Sequence, residues 1–396
     1  MATQPVRSRP GHLMLGEDLV GDGPVRAAVY VHFPFCRHMC TYCDFDTFTG
    51  MEALIDSYVA AAESQILAMP ECSASSLYVG GGTPSIMNPE QAGRLIQAGK
   101  QRLGLSDEAE VTIEANPTDM DERRLAGFRS AGYNRLSVGV QSADPRLLRL
   151  LGRRHSSEDA ARAVATARSA GFHNISVDLI YGVPKQSLRM WRETLEEVVG
   201  WGVEHLSCYM LTVEPGTPME RGVQRGTLVV PPDEEVVAMY SHAVEWLGSR
   251  GFRRYEISNW ALPGRESRHN LTYWRNQPYL AIGAGAAGYV RGVRYKIQPR
   301  IGAYVAGVRD GKVPLSEWEE EDKHRRMSET LSLGLRLDEG VSLPAFVAEY
   351  GQPPEEEFGR SIEWGLAGGL LVRDKERLRL TERGILFSNE LFERLL

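Results

Sequence analysis

Apolar and polar positions follow two rhythms over the first two thirds of the chain. Short β-branched or apolar runs at residues 29–33, 77–79, 111–115, 136–140, 175–180 and 206–211 read as strands. Between them, apolar residues recur at helical spacing over 54–68, 89–103, 121–131, 160–170, 188–200 and 233–248. Strand alternating with helix at this interval predicts βαβ units and a parallel sheet. Six units fall short of the eight that close a TIM barrel, so the expected fold is α/β, a partial (β/α)6 TIM-like barrel; a doubly wound sheet is the alternative. In either, a ligand site belongs at the C-terminal ends of the strands.

From about residue 322 the pattern changes. Helices are predicted over 323–336, 343–350 and 355–367, followed by two short strands around 374–377, a C-terminal winged-helix-like α+β unit. The expected division is an N-terminal tail at 1–28, a barrel at 29–300, a linker at 301–322 and the C-terminal unit at 323–396. The acidic run 317–322 reads as a solvated hinge, and 213–233 and 259–270 read as long loops.

Charge changes the picture little. The 396 residues carry a formal net charge of −7, and residues 351–396 hold nine acidic against seven basic side chains, so no nucleic-acid partner is expected of the winged unit. Residues 1–28 lack the apolar stretch of a signal peptide and no run of 18 apolar residues occurs, so a cytoplasmic protein is expected, touching a membrane at most transiently.

Cysteine placement says more. Three of the five cysteines, Cys36, Cys40 and Cys43, fall in one short loop after the first strand, whereas Cys72 and Cys208 stand alone, in an apparent loop and strand, as inert thiols. Three thiolates can hold three corners of an iron-sulfur cube and leave the fourth iron open. Structural zinc, the competing reading, needs a fourth ligand from His32 or His38. Gly80-Gly81-Gly82-Thr83 ends the second strand, where glycines would let backbone N–H groups approach a ligand. Glu114, Gln141 and Asp178 likewise stand at or just past a strand's last apolar residue. Arg153 could clamp a carboxylate, and Asp178 could accept from an amine or ribose hydroxyls.

The C-x3-C-x2-C loop, with Tyr30-Val31-His32-Phe33-Pro34-Phe35 leading in and Asp44-Phe45 leading out, resembles the radical S-adenosylmethionine superfamily. The likeness is to the branch holding oxygen-independent coproporphyrinogen III oxidase and heme chaperones, and it runs from about Tyr30 to Tyr289 and on into the C-terminal unit. It implies a 4Fe-4S cluster on the three cysteines with S-adenosylmethionine on the open iron, held by Tyr30, Tyr42, Gly81 and Glu114. It further implies a second small-molecule position at Gly82, Thr83, Gln141, Arg153 and Asp178.

Within the branch, the oxidases carry a fourth cysteine two residues after the third; here that residue is Phe45. The segment His269-Asn270-Leu271-Thr272-Tyr273-Trp274 is similar to the chaperones' H-N-x-x-Y-W and makes His269, Tyr273 and Trp274 candidates for holding heme. By residue type alone, they would instead cap a loop and fill the barrel's side. Ala287 stands where the resemblance implies a histidine. The function implied is heme carriage to an acceptor protein, with an electron donor serving the cluster if it turns over. The alternative is oxidative decarboxylation of a porphyrinogen.

Overall fold

The computed structural model describes residues 11–14 and 25–396. Of the tail expected at 1–28, residues 1–10 and 15–24 lie outside the described residues. Six strands, β1 (Val25–Phe33), β2 (Cys72–Gly81), β3 (Glu110–Ala115), β4 (Arg135–Gln141), β5 (Ile175–Tyr181) and β6 (His205–Met210), pair in parallel in that order. Helices α1 (Ile55–Ala68), α2 (Pro89–Arg102), α3 (Glu122–Ala131), α4 (Ser157–Ser169), α5 (Leu188–Gly200) and α6 (Asp233–Ser249) connect and cover them. Local chemistry starts these helices: Asn88 and Gln91 close a capping box on α2, and Ser156 and Asp159 close another on α4.

Period-two alternation sorts the strand residues. Val29, Val31, Leu77, Val79, Val111, Ile113, Leu136 and Val138 are buried in the main apolar core. Their neighbours Tyr78, Glu114, Ser137, Asp178 and Ser207 face a cavity instead. The barrel lumen is therefore polar, and that is unusual for a packed barrel interior.

The sheet extends past both ends of the six-strand set. Tyr279–Ile282 pairs in parallel with β1 and adds a seventh parallel strand that the six-unit expectation lacked. Antiparallel strands Ala287–Val290, Val293–Ile297, Lys312–Glu320 and His12–Met14 follow on that side, and Asn259–Ala261 and Arg253–Glu256 follow β6 on the other.

Several sequence expectations need correction. The 301–322 stretch, expected as a linker, contains the helix Ile301–Arg309 and the strand Lys312–Glu320. Its acidic run is mostly strand, with Glu317 and Glu319 in register with Lys296 and Arg294 and Glu321 paired to the Arg294 guanidinium at 2.5 Å. The two expected loops hold the helix Pro218–Gln224, the strand Asn259–Ala261 and the start of the helix Arg268–Trp274. Cys72 opens β2 rather than lying in a loop, and burial pushes its thiol up to about 11.

The C-terminal residues form helices Lys323–Gly334, Leu343–Tyr350 and Glu355–Ala367 with a three-stranded sheet whose hairpin is Leu371–Arg373 and Arg377–Leu380. Met327, Leu331, Phe346, Ile362, Leu378 and Leu391 make a separate apolar cluster there. Arg254 ties it to the barrel side through Asp338 and Glu382, each at 2.8 Å. No helix among the described residues is long and apolar enough to cross a membrane.

The short helix Arg268–Trp274 plugs the N-terminal end of the lumen. Glu110, at the start of β3, accepts from Ser267 Oγ at 3.3 Å and from the Arg268 and His269 amides at 3.1 Å each. Replacing Glu110 with Ala leaves these donors buried and unpaired, so a loss of about 2 kcal/mol in unfolding free energy is expected. Amide exchange should rise selectively at residues 267–270, and unchanged exchange there would show that the plug is held by packing alone.

Candidate functional site

Cys36 ends the two-residue strand Phe35–Cys36, which pairs with Phe48–Thr49 and closes the cysteine loop at its base. Thr41 pins the loop's middle: its amide and hydroxyl donate to the carbonyls of Leu151 at 3.2 Å and Leu150 at 2.8 Å, and its carbonyl accepts from the Met219 amide at 2.9 Å. All three thiols are free and partly exposed. Thr83 Oγ1 donates to Cys36 Sγ at 3.4 Å, and Arg153 Nη1 donates to Cys40 Sγ at 3.5 Å. Burial holds the Cys36 thiol above its ordinary range, and the Thr83 bond opposes that only in part.

The loop roofs a cavity of about 600 Å3 at the C-terminal ends of the strands. Cys36, Cys40, Cys43, Tyr42, Gly81, Gly82, Thr83, Glu114, Gln141, Arg153 and Asp178 all line it. Gln141 reaches the cavity through a register slip in β4, its backbone left-handed at φ +68°. Arg153 is fixed by the Gly139 carbonyl at 2.5 Å and Asn116 Oδ1 at 3.2 Å. Ser137 Oγ donates to both oxygens of Asp178 at 3.2 and 3.3 Å, while burial holds that carboxyl above its ordinary range. Glu114 accepts from Tyr78 Oη at 2.8 Å and the Gly81 amide at 3.0 Å, yet desolvation outweighs both bonds and pushes it up to about 7.

The glycine turn serves a different purpose from the one expected. The Gly81 amide donates to Glu114 and the Gly82 amide to the Phe33 carbonyl at 2.8 Å, so neither points at a ligand. What the glycines supply is room: a Cβ on Gly81, at φ +107°, would lie 2.4 Å from the His32 ring, and one on Gly82 would lie 2.6 Å from the Phe35 carbonyl.

Tyr30, His269, Tyr273 and Trp274 do not line this cavity. Tyr30 Oη pairs with His32 Nδ1 at 3.0 Å, behind the site. Both ring nitrogens of His269 are engaged, Nδ1 with Ser76 Oγ at 2.9 Å and Nε2 with Tyr273 Oη at 2.7 Å; the ring stacks on Tyr78 and burial pushes its pKa down to about 3. Trp274 lies under the Arg336 guanidinium, 4.5 Å from its ring centre. In this arrangement the H-N-x-x-Y-W segment is the barrel's plug and presents no open iron ligand. Ala287 is exposed opposite Lys296, whose ammonium pairs with Asp46 of the cysteine loop at 3.0 Å.

Arg135, Ser137, Ser207 and Asn270 also line the cavity, and the sequence reading passed over them. Arg135, Ser137, Gly139 and Gln141 recur at every second residue of β4, a polar stripe that strand periodicity could have revealed.

The donor set suits a cluster better than a single ion. Among the described residues no three His, Cys, Asp or Glu side chains converge closely enough to share one metal ion, whereas a cube takes each cysteine on a different iron. Of the two histidines that zinc could take as a fourth ligand, His32 is committed at both nitrogens, to Tyr30 and to the Asp46 carbonyl at 3.0 Å, which leaves His38 alone for that role. Three free thiols beside an arginine and a hydroxyl, over a polar lumen, fit the cluster and a zwitterionic ligand.

Fold and site together define a radical S-adenosylmethionine protein. The family model for the radical SAM superfamily matches residues 30–198, and the model for the HemN C-terminal domain matches residues 322–387. The chain is 34% identical to the heme chaperone HemW of Lactococcus lactis over 93% of this chain and 97% of that one, and 35% identical to the heme chaperone HemW of Bacillus subtilis over 92% and 98%. It is 36% identical to the mitochondrial radical S-adenosyl methionine domain-containing protein 1 of Mus musculus, over 94% and 87%. Coproporphyrinogen III oxidase (HemN) from Escherichia coli shares the fold, with a TM-score of 0.81, 22% identity and coverage of 94% and 90%. The chain belongs to the heme chaperone HemW family.

Glu114 gives the site a pH signature. Its folded carboxyl holds a proton more tightly than a glutamate at 4.5, so its contribution to stability is complete below 4.5 and lost as pH rises through about 7. Without ligands, the wild type should lose up to ~3 kcal/mol relative to Glu114→Gln between about pH 5 and about pH 8 in urea unfolding. Parallel curves for the two proteins would mean that Glu114 titrates normally.

Proposed function

We propose that this protein binds heme and passes it to an acceptor protein, with a 4Fe-4S cluster on Cys36, Cys40 and Cys43 and S-adenosylmethionine on the fourth iron. The observation that carries the reading is the likeness to heme chaperones along nearly the whole chain, 34% to 35% over 92% or more of it. Phe45 supports it, standing where the resembled oxidases have a fourth cysteine.

In this reading Tyr42 and Glu114 hold the S-adenosylmethionine, the Gly81 amide fixes the Glu114 carboxyl, and Tyr30 acts through His32. The carboxyl of Glu114 takes the ligand's amino group, and its elevated pKa falls once that cation arrives. Gly82, Thr83, Gln141, Arg153 and Asp178 form a second small-molecule position, where the guanidinium meets a carboxylate and Asp178 meets an amine or hydroxyls. When bound and reduced, the cluster supplies an electron to S-adenosylmethionine, for which an electron-donor protein is the expected partner.

Two experiments test this. Cys40→Ala should abolish the broad charge-transfer absorption and most bound iron after reconstitution, and full iron retention would refute the ligand set. Anaerobic heme titration of the reconstituted wild type should saturate at about one heme per chain, while coproporphyrinogen III under reducing conditions should stay unchanged. Clean formation of protoporphyrinogen would replace the carrier with a decarboxylase.

A further inference from the structure

We propose that heme docks across the mouth of the barrel, with His38 as its iron ligand, the side chains of Met39, Phe45 and Met210 against the porphyrin and Arg154 on a propionate. This rests on the heme-carrier reading and assigns it a site.

The iron ligand follows from the state of the histidines. Of the nine in the chain, His32, His155, His205 and His269 are buried and hydrogen-bonded through their rings. His12, His173, His242 and His324 stand away from the cavity. His38 alone lines the cavity with no ring hydrogen bond among the described residues. It sits between Cys36 and Cys40, in a loop anchored at its base and middle, so its imidazole is presented from a fixed support. Imidazole is a standard ligand of heme iron.

The surface around His38 has the chemistry of the macrocycle. Met39, Phe45 and Met210 line the mouth and are 47%, 65% and 54% exposed, large apolar side chains that a soluble protein leaves together chiefly where something binds. Methionine adapts to a flat polarisable ring, and phenylalanine can stack on it. Arg154 stands exposed on the same rim without an ion pair among the described residues, while Arg37, which also lines the cavity, is engaged by Asp119 at 3.5 Å. A free guanidinium beside an apolar collar matches a molecule that is apolar across its face and carboxylated at one edge. The opposite end of the barrel offers none of this, because Glu110 and Ser76 keep the plug helix in place and His269 closed.

The test is anaerobic titration of hemin into the cluster-reconstituted full chain, comparing wild type with His38→Ala, His38→Asn, Phe45→Glu and His269→Ala. Bound iron-sulfur content is measured in each as a control for assembly. Both His38 variants should shift the Soret band and weaken binding about tenfold or more with the cluster retained, and Phe45→Glu should weaken binding without changing the ligand spectrum. Wild-type affinity and spectrum in the His38 variants, or a loss confined to His269→Ala, would overturn the mouth site and leave heme carriage intact. Absence of saturable binding in the wild type would instead remove the carrier reading, and this inference with it.

Discussion

The contact on which the site depends is the seating of the cysteine loop on the glycine turn that ends β2. The Gly82 and Thr83 amides donate to the carbonyls of Phe33 and Phe35, each at 2.8 Å, stitching the turn to the segment that leads into Cys36. Any side chain at Gly82 would collide with that same backbone. Close backbone approach fixes the height of the loop over the lumen, brings Thr83 to the Cys36 thiol and aligns the Gly81 amide with Glu114. The three thiols therefore face a cavity whose polar walls are already set by the strands beneath.

Those walls have an energetic consequence. A barrel interior lined by Tyr78, Glu114, Ser137, Asp178 and Ser207 gives up apolar packing that other barrels use for stability. The chain offsets this outside the lumen, where valines, leucines and isoleucines of the strands meet the covering helices. Below, the plug helix converts the remaining opening into a closed floor, with His269 neutral between Ser76 and Tyr273. The result is a cavity open at the cysteine loop and shut at the other end. Ligands therefore meet the loop first.

The parallel strands, their helices and the cysteine loop were legible because each depends on local pattern: period-two alternation, helical spacing, and three thiols within eight positions. The cavity residues Glu114, Gln141, Arg153 and Asp178 were found by position at or after strand ends and by resemblance; their hydrogen-bond partners were not visible. What the sequence concealed depends on distant partners. Tyr279–Ile282 is a four-residue run that becomes a strand only by pairing with β1. The acidic strand at 312–320 looked solvated until Lys296 and Arg294 were opposite it. His269 was a ligand candidate through resemblance alone, and its partner Ser76, nearly two hundred residues away in sequence, was not visible. The glycine turn was located correctly and its purpose misjudged, since only the fold shows which backbone groups it meets.

In the proposed function the cysteine loop carries the cluster, and the cavity beneath it and the apolar rim around it receive and release a ligand at one face. The most direct measurement is therefore release. Reconstituted protein loaded with heme is mixed anaerobically with a heme-free globin, and the movement of the heme spectrum to the globin is followed with and without S-adenosylmethionine. Transfer that empties the donor, at a rate that changes with S-adenosylmethionine, is the predicted result. Heme that stays on the chain under every condition would contradict the account.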